Sequence, residues 1–448
     1  NPKNPLQYSY KGKWRDFTVI KENIPVKDEE SKEVHLYYSH HGPVTYLNKK
    51  ALKAFAVRCA WLEPGGSPYL ASLRMDQAKN WDEFRVACSY SNIPGENMVW
   101  ADKKGNIGWQ AVGIAPVRNN FSGLVPIPGD GSYEWDGYLP IMEKPHISNP
   151  KKGYIATANQ NVTPEDYEHW NAIGYSWSDP YRGDRIDQVL GKKNDLTMRD
   201  IRDLQVDVTS LPAQILIPLL KNISFNSFEE SIKGSLFEWN FKLEKNSISA
   251  AVYVSWENAI VDEANKKFIP KSVKTYIESL QLKRVIDWII NPEIMFRGAD
   301  KRNKFLKKTF ELAIADLKTR LGDDPSKWQY GQPKNKHSLI FHELGKVVNQ
   351  KTANKLNLGP LPRGGNGYTP GSTGGDYNQS SGGSFRIIVN TGDWDSTLGT
   401  NTPGQSGDPE SPFYKNLFKD WAKDNFFPVY FSKEKIKSVT FKKTILTP

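Results

Sequence analysis

The chain has 448 residues, 38% of them hydrophobic and 25% charged, with a mean hydropathy of -0.60 and a formal net charge of +10. This balance excludes a disordered chain, and the length is enough for two or three cores. No run of residues is apolar enough for a membrane helix, and the start Asn1-Pro2-Lys3-Asn4-Pro5, which lacks a signal-like pattern, reads as a processed or truncated end.

The basic residues are mixed with 50 acidic ones. The largest local excess, residues 301–308, sits on a helix-like face where solvation is the expectation, so no nucleic-acid partner is expected. Cys59 and Cys88 are the only cysteines; a disulfide and two buried free thiols are equally open. The 14 Trp, 20 Tyr, 34 Gly and 29 Pro fit a large sheet-containing protein with long structured loops.

In chain order, residues 16–24, 34–47 and 51–62 carry β-branched and aromatic residues in partial alternation and predict strands. A rough helical stripe covers 68–89. Residues 97–118 predict a hairpin whose turn, Asp102-Lys103-Lys104-Gly105-Asn106, supplies a glycine for positive φ. A Pro/Gly-rich loop spans 121–140, and 153–160 reads as a short strand. From 179 to 322 the text is helical, with Asp195 as a cap and helices near 212–221, 227–242, 270–290 and 300–321; Pro292 and Gly322 are stops. Residues 358–384 fit either a flexible linker or a long ordered loop. Strands are expected at 384–392 and 438–446 around a helix near 414–424. This gives three regions: sheet-rich 1–178, mainly helical 179–335, and 336–448, whose strands return to the first. Strands at both ends suggest one sheet built from distant parts of the chain.

Neither a GxSxG elbow nor an HExxH zinc motif occurs. His40 and His41 are adjacent; on a strand they would point to opposite faces and make poor joint metal ligands. Asn159 ends an apolar segment, where a side-chain amide can donate to an oxyanion or bond its own backbone. Arg182 follows Pro180 near a helix start, where the helix dipole does not favour a cation, so a partner outside the helix is in play.

Several segments together resemble the catalytic (β) chain of the penicillin acylase (penicillin amidase) family of N-terminal-nucleophile hydrolases. They are His41-Gly42-Pro43-Val44, Ala78-Lys79-Asn80-Trp81, the hairpin from Asn97 to Trp109, Pro126-Ile127-Pro128-Gly129 with Trp135-Asp136-Gly137, Gly153-Tyr154-Ile155-Ala156 with Asn159, Tyr181-Arg182 with Arg185-Ile186, Gln205-Val206-Asp207, Ser384-Phe385-Arg386, and Gly404-Gln405-Ser406-Gly407-Asp408-Pro409. Their colinear order carries the resemblance. It implies an α+β fold, a four-layer αββα sandwich incomplete in this chain.

The resemblance also implies an N-acyl amide hydrolase acting on a small acylated amine, such as a β-lactam or an acyl-homoserine lactone. An N-terminal Ser freed by autoproteolysis attacks the carbonyl, with its own α-amine as base. By motif, Asn159 is the oxyanion residue and Arg182 an orienting residue. The nucleophile is expected on a segment N-terminal to this chain, which alone is expected to be inactive. The partners implied are that segment and the α chain of the same precursor. No organic cofactor is implied; Asn171, near the family's acidic calcium ligand, is a weak candidate for a structural calcium. A periplasmic or secreted location follows from the family alone. Ala158 replaces a bulkier aromatic of penicillin G acylases, so a benzylpenicillin preference does not carry over. The alternative reading is a non-catalytic ligand-binding protein on the same fold.

Overall fold

The computed structural model describes residues 1–67 and 69–447. It divides into two compact units, one of Asn1–Ile155 with Val162–Trp177, the other of Ala156–Asn161 with Ser178–Pro448.

The first unit is built from local antiparallel pairs. Strands Thr18–Ile24, Lys32–Ser39, Gly42–Asn48 and Lys53–Ala56 form a four-stranded sheet in sequence order. Gly42 takes φ +119°, and a Cβ there would meet the Val57 carbonyl oxygen at 2.4 Å, so the turn needs glycine. The expected strand over 34–47 is therefore broken at residues 40–41, which form a turn. The helix expected over 68–89 is two helices, Ala71–Met75 and Trp81–Cys88; Pro68 lies outside the described residues. The break has a cause in Asn80, whose side chain accepts from Glu83 N–H and caps the second helix.

The hairpin forms as expected, Asn97–Ala101 against Ile107–Ala111. Gly105 takes φ +86°, and the Asp102 carboxylate accepts from the backbone N–H groups of Lys104 and Asn106. The Trp81 ring lies so close to Gly108 that a Cβ there would meet it at 2.4 Å, which ties the helix-start motif to the hairpin motif. His146–Ser148 adds a third strand. Both cysteines are free thiols, and burial pushes that of Cys88 up to about 11. Residues 153–160 form no strand.

The second unit is helical at its centre. Ile248–Phe268 is buried almost all round from Ala250 to Glu257. It packs on Ala299–Leu321, where Trp256 Nε1 donates to Thr309 Oγ1 at 3.1 Å and the Trp256 and Phe310 rings meet edge to face. Gly322, at φ +92°, ends the second of these helices as expected. Lys301, Lys304 and Lys308 stand exposed on its outer face. The Met198–Gln205 helix is capped by Thr197 in a capping box with Asp200, not by Asp195, because only Thr197 can exchange bonds with the third helical residue. The helix expected over 270–290 is confined to Leu282–Ile290.

The glycine-rich stretch is an ordered loop. Gly365 N–H donates to Leu243 O, Tyr330 Oη donates to Gly365 O, and Asn366, Thr369 and Thr373 are buried. Strands Arg386–Ile388, Leu398–Thr400 and Phe427–Pro428 form a three-stranded sheet. Near the end, Lys433–Val439 is a helix capped by Ser432, and 440–447 carry no strand, contrary to expectation. Among the described residues each sheet draws its strands from one stretch of chain, so the expected sheet uniting both ends is not formed.

Candidate active site

Asn159 and Arg182 meet. The Arg182 Nη2 donates to Asn159 Oδ1 at 2.7 Å, the short distance of a charge-assisted bond. Both belong to the second unit. Arg182 is the second residue of the Tyr181–Leu190 helix. Partial burial lowers the pKa of its guanidinium, and its partner is the exposed Asn159.

The geometry around Asn159 is specific. Its backbone is left-handed, φ +68°, a conformation that Asn tolerates better than most side chains. Its carbonyl accepts from Ser178 N–H at 3.0 Å. The next residue, Gln160, turns back so that its Oε1 accepts from Ala158 N–H at 2.6 Å. That side chain lies on Gly183, where a Cβ would meet Gln160 Nε2 at 2.3 Å. Gly183 therefore allows the 156–161 segment to lie on the helix that carries Arg182. With Oδ1 committed to a cation, the NH₂ of Asn159 is the donor end of the amide.

The helix itself is anchored. Tyr181 is buried in the helical core and packs edge to face on Tyr368; burial pushes its hydroxyl well above the usual range. Asp179 accepts from Lys283 N–H, and burial raises its carboxyl. Two separate motifs also prove to be partners: Arg185 Nη2 lies 2.7 Å from Asp207 Oδ2, while Asp207 Oδ1 accepts from Thr209 N–H. Nothing in the spacing of these residues, 22 apart, indicated the pairing.

Asn171 lies in the first unit. Its Nδ2 donates to Asn119 Oδ1 at 2.8 Å, and Asn119 Nδ2 donates to Asp136. Two amides already bonded to each other, with Asp136 Oδ2 taken up by Asn119, are a poor start for a cation that takes six to eight oxygens.

His40 and His41 do not point apart. They occupy the turn rather than a strand, their ring centroids are 3.7 Å apart, and both Nε2 atoms face Glu134. The opposite-face argument holds only for residues in strand conformation.

Comparison with known proteins decides the family. The penicillin amidase family model matches residues 1–438. The chain belongs to the penicillin amidase family. An acyl-homoserine lactone acylase QuiP of Pseudomonas fluorescens is 29% identical over 460 residues, covering 94% of this chain and 54% of that protein. The penicillin G acylase of Escherichia coli is 29% identical over 220 residues, 48% of this chain and 26% of that one. The chain thus spans about half the length of the QuiP relatives it matches. A thermostable penicillin G acylase from Alcaligenes faecalis superimposes with a TM-score of 0.72 over 100% of this chain and 84% of its own, at 18% identity, and shows the same mixed α/β fold. Among the described residues no helix is long and apolar enough to cross a membrane.

Proposed function

We propose that this chain is part of an N-acyl amide hydrolase that cleaves an acyl group from a small amine, such as an acyl-homoserine lactone or a β-lactam nucleus. The observation that carries the reading is the 2.7 Å bond from Arg182 to Asn159 within a penicillin amidase family member. The names of its relatives, acyl-homoserine lactone and penicillin acylases, support the substrate class.

In this reading Asn159 Nδ2–H donates to the oxygen that gains charge as the amide carbonyl becomes tetrahedral. Arg182 fixes the other end of that amide and draws charge from it, which makes the NH₂ a better donor at the moment of reaction. The reaction needs a nucleophile that this chain's motifs do not supply. The family resemblance assigns it to an N-terminal Ser on a preceding segment, freed by autoproteolysis, with its α-amine as base. The same resemblance supports a four-layer αββα arrangement completed by that segment and the α chain, and a periplasmic or secreted location.

The test is Asn159→Gly in the complete, processed enzyme. Glycine keeps the left-handed backbone and deletes only the amide. With acyl-homoserine lactones and β-lactams as substrates, kcat falls by about 10²–10³-fold while the thermal unfolding midpoint holds. An unchanged kcat removes Asn159 from the oxyanion role.

A further inference from the structure

We infer that His40, His41 and Glu134 form a binding site for a divalent transition-metal ion of the zinc type, separate from the Asn159–Arg182 pair. The ligand atoms of the three residues all lie within 4.8 Å of one another. His41 Nε2 is 2.8 Å from Glu134 Oε1, and His40 Nε2 is 3.6 Å from the same oxygen. Zinc bound tetrahedrally at about 2.0–2.2 Å from nitrogen and oxygen separates its ligands by about 3.3–3.5 Å. The His41 contact must therefore open by about half an ångström, the His40 contact close slightly and the two imidazole nitrogens, within 4.8 Å of each other, settle at a similar spacing, all by side-chain adjustment.

The surroundings hold the ligands as metal sites do. The Tyr8 oxygen lies 3.0 Å from His40 Nδ1, where it can accept a hydrogen bond from Nδ1–H in the tautomer that leaves the Nε2 lone pair for a metal. It also accepts from the His40 backbone N–H, and the Tyr8 and His40 rings stack at an interplanar angle of 11°. His41 N–H donates to Ser39 Oγ. Arg58 Nη1 bonds the other carboxylate oxygen of Glu134 at 3.0 Å and lies over the Trp135 ring, so Glu134 presents one oxygen in a fixed direction. Glu134 and both histidines are partly open to solvent, which leaves room for water as the fourth ligand. Two imidazoles and a carboxylate suit zinc better than magnesium or calcium. The ion would tie the turn at 40–41 to the 121–140 loop, both parts of the first unit, and would take the place of the direct His41–Glu134 contact.

The experiment titrates tag-free, chelator-stripped protein with ZnCl2 against a competing chromophoric indicator. One equivalent is expected per chain. His41→Gln and Glu134→Gln each weaken binding by more than about tenfold, and Tyr8→Phe by about tenfold. The unfolding midpoint rises with zinc in the wild type and not in the ligand variants. Zinc-edge X-ray absorption of the loaded wild type, which needs no variant to fold, shows two imidazoles in the first shell. Binding that survives in His40→Gln/His41→Gln, no stoichiometric zinc in the wild type, or a first shell without imidazole each overturns the site.

Discussion

Trp256 and Phe310 are wholly buried between the helices of the second unit, whereas Ile20, Leu36, Tyr46 and Phe55 stand exposed on the four-stranded sheet of the first. The second unit has one large helical core. The first has small clusters, such as Phe84, Cys88, Val112 and Ile141, and relies more on turns, caps and polar ties such as Glu134 to Arg58 and His41. The contrast matters for function because the Asn159–Arg182 pair belongs to the second unit, and Arg182 stands on a helix anchored in the large core through Tyr181. A rigid element under a donor is what oxyanion stabilisation requires.

The sharpest break in the contrast comes from truncation in each unit. Trp256→Ala removes a fully buried indole and its bond to Thr309, and is expected to cost about 3–5 kcal/mol in urea unfolding. Leu36→Ala on the exposed sheet face should change stability by no more than about 0.5 kcal/mol. Equal effects would show that the exposed sheet face is not a surface in solution.

Next in size is a pH effect confined to the large core. Glu257 is buried, accepts from Tyr253 Oη and Asn366 Nδ2, and burial lifts its carboxyl to about 7, above the ordinary 4.5. The folded state holds this proton more tightly than the unfolded one. Its contribution is therefore full below about pH 4.5 and is lost as pH rises through about 7, a difference of order 3 kcal/mol. Glu257→Gln keeps both hydrogen bonds, with its oxygen toward Asn366 and its NH₂ toward Tyr253, and should flatten that part of the stability profile between pH 5 and 8.

A smaller effect is expected at Gly183→Ala. The new methyl would meet Gln160, which is tied to Ala158 N–H, so the 156–161 segment must shift. The expected loss is about ten- to a hundredfold in kcat/KM with little change in unfolding midpoint. An unchanged kcat/KM would show that Gln160 swings away without moving Asn159.

What could be read from the sequence follows from which interactions are local. The Gly105 turn and the Gly322 stop depend on backbone φ at one residue, and both were legible. The Ile248–Phe268 helix was missed because its first half is buried on every side and leaves no polar stripe to mark a period. The strand expected at 438–446 does not form: the Ser432 cap sets the Lys433–Val439 helix, which takes its first two residues, and 440–447 join no strand. Asn159 and Arg182 stand out only through the family motifs; residue types alone favour a turn Asn and a surface Arg. The pairing of Glu257 with Asn366 joins residues 109 apart and leaves no trace in spacing. The His40–His41–Glu134 cluster was hidden because a single turn reverses the rule for adjacent side chains.

The most direct test of the central claim, that Arg182 acts through Asn159, is a double-mutant cycle in kcat on the complete enzyme with Asn159→Gly, Arg182→Ala and the pair. If the two form one unit, Arg182→Ala costs about ten- to a hundredfold alone and almost nothing once Asn159 is gone. Losses that simply multiply would mean that the residues act independently, and the 2.7 Å bond between them would carry no catalytic role.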